Sequence, residues 1–185
     1  MAKTRKKVDG PLGPDIVMGL ALSLSTTAEK HFFYGVELMK RHSLLEAMVF
    51  FERAFKSDAE FYDAAFCSAS AMLCFGRVTE ARSRFLKLLK DCPDFYGGYV
   101  IRFLPNFRLM VNLREGYNYR IRPEAADVAV LIGILYKREG KFAEAKKILQ
   151  QALNADFSNR LVRVVLAEVL VAEGHPDTGL KLVEK

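Results

Sequence analysis

Residues 126–159, ADVAVLIGILYKREGKFAEAKKILQQALNADFSN, decide the fold. Small side chains at Gly133 and Ala145 stand twelve residues apart, on either side of a break at Gly140. Large apolar residues at Ile132, Tyr136 and Leu149 flank them at spacings of three and four. That pattern predicts two amphipathic helices joined by a tight glycine turn, packed closely because one side chain at each contact is small.

The same register occurs four times. Gly35, Ala69, Gly133 and Ala167 form one small series, and Ala47, Ala81, Ala145 and Gly179 a second. Bulky residues keep step at Phe51, Phe85, Leu149 and Val183, and at Leu38, Met72, Tyr136 and Leu170. The interval is 34 residues between units one and two and between three and four, but 64 between two and three, leaving 30 residues outside the repeat. Breaks within units fall at Arg41–Ser43, Gly76, Gly140 and Gly174, and unit ends at Pro93-Asp94 and Ser158-Asn159. A helix pair alone leaves an apolar face wet, so stacking of pairs is what buries the core.

These residues resemble the tetratricopeptide repeat (TPR) family. In unit three, Ile132, Gly133, Tyr136, Gly140, Ala145, Leu149 and Ala152 stand where that family places its L, G, Y, G, A, F and A. Units 28–61 and 62–95 match at the small and aromatic positions but carry His31 and Ala65 where Trp is usual, and the fourth, 160–185, stops inside its second helix. The resemblance implies an all-α, TPR-type α-solenoid of antiparallel helix pairs winding as a right-handed superhelix. The segments are then a basic N-terminal stretch with a short apolar helix (1–27), units one and two (28–95), a divergent stretch (96–125), and units three and four (126–185).

The resemblance also implies a groove lined by the first helices, with ligand-facing side chains at the second, fifth, ninth, twelfth and thirteenth places. Carried over, unit one offers Glu29, Phe32, Val36, Met39 and Lys40, and unit two offers Asp63, Phe66, Ser70, Leu73 and Cys74. Unit three offers Asp127, Val130, Ile134, Lys137 and Arg138, and unit four Leu161, Val164, Glu168, Val171 and Ala172. This set is mainly apolar, which suits a hydrophobic or amphipathic peptide of a partner protein. The family's carboxylate clamp for acidic chaperone tails needs Lys and Asn where this chain has Phe32, Val36, Cys67 and Leu131, so clamp binding is not expected. A secretion-type TPR chaperone shielding an apolar client segment is a neighbouring alternative.

Residues 96–125 are expected to form a helical hairpin in a repeat's slot, with helices near 97–104 and 106–115 broken at Pro105. Arg102, Arg108, Arg114, Arg120 and Arg122 interleave there with aromatics that include Phe107, Tyr117 and Tyr119. Arginine with aromatics makes a second interface, either for protein or, less favoured, for RNA, since stacking plus phosphate neutralisation needs those residue types.

Catalysis is not expected. His31, His42 and His175 fall on separate units with no carboxylate at ligand spacing, no metal or cofactor signature is present, and Gly97-Gly98 lacks a phosphate-loop context. Cys67, Cys74 and Cys92 form no CxxC pair, and their odd number fits a reducing, cytoplasmic compartment. The 185 residues are 51% hydrophobic and 27% charged with net charge +6, which supports a folded core. The excess charge sits in 1–15 and 96–125, so the repeats themselves carry no basic stripe for a nucleic acid.

The apolar run Ile16–Leu24 follows the basic Lys3–Lys7 and loosely resembles an export signal, but Asp9, Pro11, Pro14 and Asp15 intervene. Nine residues cannot span a bilayer. The run is expected instead to form a short helix that either fills the groove at Phe32, Val36, Met39 and Phe66 or packs on the outer edge of the first repeat. At the other end, Leu166, Leu170 and Leu182 lack a polar capping helix, so either the sequence is part of a longer protein or another chain or another copy covers them.

Overall fold

The computed structural model describes residues 25–107, 109–114 and 117–184, with backbone alone for 112–114 and 117. Ile16–Leu24, Arg108 and the side chains of Arg114 and Tyr117 lie outside the described residues.

Four helix pairs follow the repeat. They are α1 (Thr27–Lys40) with α2 (Leu44–Ser57), α3 (Tyr62–Cys74) with α4 (Val78–Asp91), α6 (Ala125–Arg138) with α7 (Phe142–Ala155), and α8 (Arg160–Ala172) with α9 (Pro176–Val183). Each turn inside a pair is closed the same way. In unit one the His42 N–H donates to the Met39 carbonyl and the Ser43 N–H to the Leu38 carbonyl, and units two to four repeat both bonds. This closure needs a left-handed residue, and φ is +61° at His42, +72° at Gly76, +71° at Gly140 and +98° at Gly174.

The small positions do what their spacing implied. A Cβ on Gly35 would lie 2.6 Å from the Phe51 ring, and one on Gly133 would lie 2.8 Å from Leu149 Cδ1, so α1 meets α2, and α6 meets α7, over a missing side chain. Phe32, Phe51, Phe66 and Phe85 are wholly buried between the pairs. Each such ring stabilises the fold by roughly 1.5–3 kcal/mol through transfer from water. The second helices α2, α4 and α7 bury a single stripe, whereas Asp63–Met72 of α3 and Asp127–Leu135 of α6 are buried all round. A helix buried on every side has a neighbour on every side. Within residues 96–124, Gly98–Phe103 adds a neighbour to α3, and Tyr117–Ile121 adds one to α6, which also packs on α4 and α8.

That segment departs from the expected helical hairpin. A short helix, α5 (Gly98–Phe103), forms where the first was placed, but residues 106, 107 and 109–114 are not helical. They lead into β1 (Leu109–Arg114), which pairs antiparallel with β2 (Tyr117–Ile121) in the register Leu109 to Ile121 and Val111 to Tyr119, with an irregularity between Asn112 and Arg114. The physical reason is the period. Leu109 and Val111 are buried while Met110 is exposed, and Ile121 is buried while Asn118 and Arg120 are exposed, an alternation of two that a helix cannot satisfy.

The excursion leaves and rejoins the stack at one point. Ala125 N–H donates to the Phe95 carbonyl (2.8 Å), and Gly97 N–H to the Pro123 carbonyl (2.7 Å). Unit two therefore packs on unit three directly, α4 against α6. Arg82, almost fully buried, joins them: its guanidinium lies 4.7 Å from the centre of the Tyr136 ring and pairs with Glu139 just beyond α6.

Candidate interaction face

The face offered by the first helices α1, α3 and α6 carries an acid at the second place of each unit, and each acid holds part of the excursion. Glu29, which also completes a capping box with Thr26 at the start of α1, accepts a hydrogen bond from the Tyr99 hydroxyl. Asp63 Oδ1 accepts the Val100 N–H at 2.8 Å. Asp127 accepts the Arg122 main-chain N–H at 2.7 Å and two guanidinium bonds at 3.2 Å, with the Tyr119 hydroxyl 3.4 Å away.

Aromatic contacts fill the space between these polar points. The Tyr99 ring meets Phe61 and Phe32 edge to face, with centroids 5.0 and 5.7 Å apart. Phe103 stands edge-on to Phe33 at 4.8 Å, and Phe107 edge-on to Phe66 at 6.4 Å. Ring pairs in this geometry are worth about 0.5–1.5 kcal/mol each beyond their buried area.

Electrostatics follow from the packing. Burial pushes the Asp63 carboxyl up to about 6, against the opposing pull of the Val100 and Tyr99 amides. The bond to Glu29, together with burial, raises the Tyr99 phenol to about 12, and that same bond holds Glu29 below its ordinary value. The Asp127 bond raises Arg122, which stays a cation.

Of the groove residues expected from sequence, Phe32, Val36, Phe66, Ser70, Val130 and Ile134 are wholly buried and line no open channel. Tyr99 and Phe107 lie on Phe32 and Phe66, two of the residues that Ile16–Leu24 was expected to cover, and that run itself lies outside the described residues. Ser70 spends its hydroxyl on the Phe66 carbonyl of its own helix. Met39 and Leu73 are half-buried, while Lys40 and Arg138 are exposed. Lys137 bridges α6 to α8 through Glu168 at 2.7 Å.

The arginine-aromatic set divides. Arg102 is exposed and lies over its neighbour Phe103 at 5.4 Å. Arg120 hydrogen-bonds the carbonyls of Pro105 and Phe107, and Arg122 bonds Asp127, so two of the expected interface arginines, though exposed, spend their guanidinium groups on holding the excursion's shape. Burial raises the thiols of Cys67, Cys74 and Cys92, which keeps them as thiols. Among the described residues no cluster of three metal-ligating side chains occurs, and no helix is long and apolar enough to cross a membrane.

The residues that sequence reasoning underrated are Gly97, Tyr99 and the three acids. The acids did leave a signal, since Glu29, Asp63 and Asp127 keep the repeat register at the second place. Gly97 is required because a Cβ there would lie 2.7 Å from Pro123 Cβ and 3.3 Å from Asp63 Oδ1.

No family model matches the sequence, and no curated protein does. Among solved structures, MamA from Desulfovibrio magneticus RS-1 is similar with a TM-score of 0.61 and 12% identity, covering 92% of this chain and 79% of that one. MamA from strain AMB-1 is similar with a TM-score of 0.53 and 20% identity, covering 84% and 74%. TTC0263, a thermophilic TPR protein of Thermus thermophilus, is 21% identical over 84% of this chain and 88% of that one, with a TM-score of 0.37. MamA is a TPR-like protein, and with the repeat geometry above the likeness makes this chain's fold a TPR-type α-solenoid.

Proposed function

We propose that this chain is a non-enzymatic protein-interaction scaffold that takes a hydrophobic or amphipathic segment of a partner protein on the face of its first helices. One observation carries the reading. That face already holds a polypeptide, the chain's own residues 98–107 and 119–122, by aromatic side chains set edge-on and by acids at the second place of three successive units. A surface that orders one peptide by these means has the chemistry to order another. The open part of the face runs through Met39, Lys40 and Leu73 at the ends of α1 and α3, and through Lys137, Arg138 and Val171 across units three and four. RNA binding through the arginines is less favoured, because Arg120 and Arg122 are already engaged by the chain's own carbonyls and by Asp127.

The test uses a panel of fluorescently labelled amphipathic peptides and the full chain, read by anisotropy. Met39→Glu and Leu73→Glu are expected to weaken any peptide that binds by tenfold or more. Lys87→Glu, on the second-helix side near Phe55, is expected to leave it unchanged. A peptide that responds to Lys87→Glu and ignores the other two would place binding elsewhere and end the proposal.

A further inference from the structure

We propose that residues 98–107 act as a tethered competitor on units one and two. A partner that uses this part of the face enters by displacing them, and it does so as a helix bearing two aromatic side chains one turn apart. The inference rests on the reading of the face as polypeptide-binding.

Four features carry it. First, α5 has only six residues, far below the about 12–15 that make an isolated helix persist in water. Its helical form therefore depends on the face, so docking and ordering are one event. Second, the cap that starts α5 is borrowed: Gly97, at the N-cap position, has no side chain, and Asp63 from α3 supplies the acceptor for Val100. Third, the docking is shallow. Val100 and Leu104 are buried, but Tyr99, Phe103 and Phe107 are only half-buried, Arg102 is exposed and Ile101 is 41% exposed. Fourth, nothing that joins unit two to unit three depends on α5. The Phe95–Ala125 and Gly97–Pro123 hydrogen bonds, the α4–α6 contact and the Arg82 bridge use no residue of α5. The short helix can lift away while the stack stays closed.

The contacts also specify the competitor. Tyr99 and Phe103 sit four residues apart on one side of α5, so a replacement needs aromatic side chains at i and i+4. The first requires a donor for Glu29, which favours Tyr over Phe. Its opening turn meets Asp63 and Glu29, so acidic residues there are excluded, the reverse of the usual preference at a helix start. Because the resident segment is tethered, it competes at an effective concentration in the millimolar range, and an outside helix binds more weakly than the bare face would allow.

The probe is a labelled peptide of the chain's own sequence, Tyr96–Phe107, titrated with the full-length protein as wild type, as Tyr99→Phe and as the double variant Tyr99→Ala with Phe103→Ala. Loss of the Glu29 hydrogen bond alone is expected to tighten the apparent affinity about fivefold, and the double variant by at least a further tenfold. Helix content by circular dichroism reports whether each variant is folded. If the double variant fails to fold, wild type against Tyr99→Phe decides. Equal affinity for all folded forms, or binding to none of them, overturns the competitor proposal. The broader reading of the face stands or falls separately, on Met39→Glu and Leu73→Glu.

Discussion

Asp63 on α3 caps α5: its Oδ1 accepts the Val100 N–H at 2.8 Å across a position, Gly97, whose missing side chain makes the approach possible. A buried carboxylate in this role ties the docking of residues 98–107 to pH. Its folded value of about 6 lies above the ordinary 3.8, so between pH 4 and 6 the folded state binds more protons than the unfolded state. Stability contributed by Asp63 is therefore greatest below pH 4 and declines as pH rises through 6, by up to about 3 kcal/mol for a shift of two units. Glu29, held below its ordinary value, acts in the opposite sense, losing its contribution as pH falls below 4.5. Subtraction isolates Asp63: Asp63→Asn keeps the acceptor and loses the titration, so its stability relative to wild type should rise between pH 4.5 and pH 7. Denaturant midpoints at the two pH values check this, and a pH-independent difference contradicts it.

His42 occupies the left-handed position that glycine holds in the other three units. The left-handed region costs a residue with a Cβ about 1–2 kcal/mol, partly offset by the greater chain entropy glycine loses on folding. His42→Gly should stabilise the protein by about 0.5–1 kcal/mol and raise the melting temperature by about 2 °C. Gly140→Ala should do the opposite.

Ala145 is completely buried in α7. Ala145→Leu should destabilise by about 1–3 kcal/mol through overpacking, and Gly133→Ala, whose Cβ would meet Leu149, by a comparable amount. An unchanged melting temperature for both would mean that the close helix contact in unit three is misplaced.

Arg82 spans units two and three, stacked on Tyr136 and paired with Glu139. Arg82→Ala should cost about 1–3 kcal/mol, less than for a fully buried pair because Glu139 retains access to water. Glu139→Gln should cost less than half of that. Chemical denaturation measures both.

Much of this was legible in the residues. The recurrence of small side chains at Gly35, Ala69, Gly133 and Ala167 encodes a local rule, one small residue facing one large one, which a sequence states directly. The turn glycines are local as well. Residues 109–121 misled because their strand period is short and lies in a segment whose neighbours are all helices, so helix was the default. Docking of the excursion was hidden for a different reason. Phe32 and Phe66 have the same spacing whether they face solvent, a partner or the chain's own Tyr99 and Phe107, and tertiary contact alone decides. The acids at Glu29, Asp63 and Asp127 stood in register, but their partners lie 70, 37 and 5 residues away, the first two beyond any periodic reading.

The central claim, that the first-helix face of units one and two holds a polypeptide and exchanges its own for another, is tested most directly by following one ring contact in solution. In the free protein, nuclear Overhauser spectra should show the Phe33 and Phe103 rings in contact, as at 4.8 Å between centroids. With the Tyr96–Phe107 peptide at saturation, that cross-peak should vanish and be replaced by one between Phe33 and the peptide, while the Phe66–Phe85 contact of the core persists. A bound peptide that leaves the Phe33–Phe103 contact intact would contradict the account.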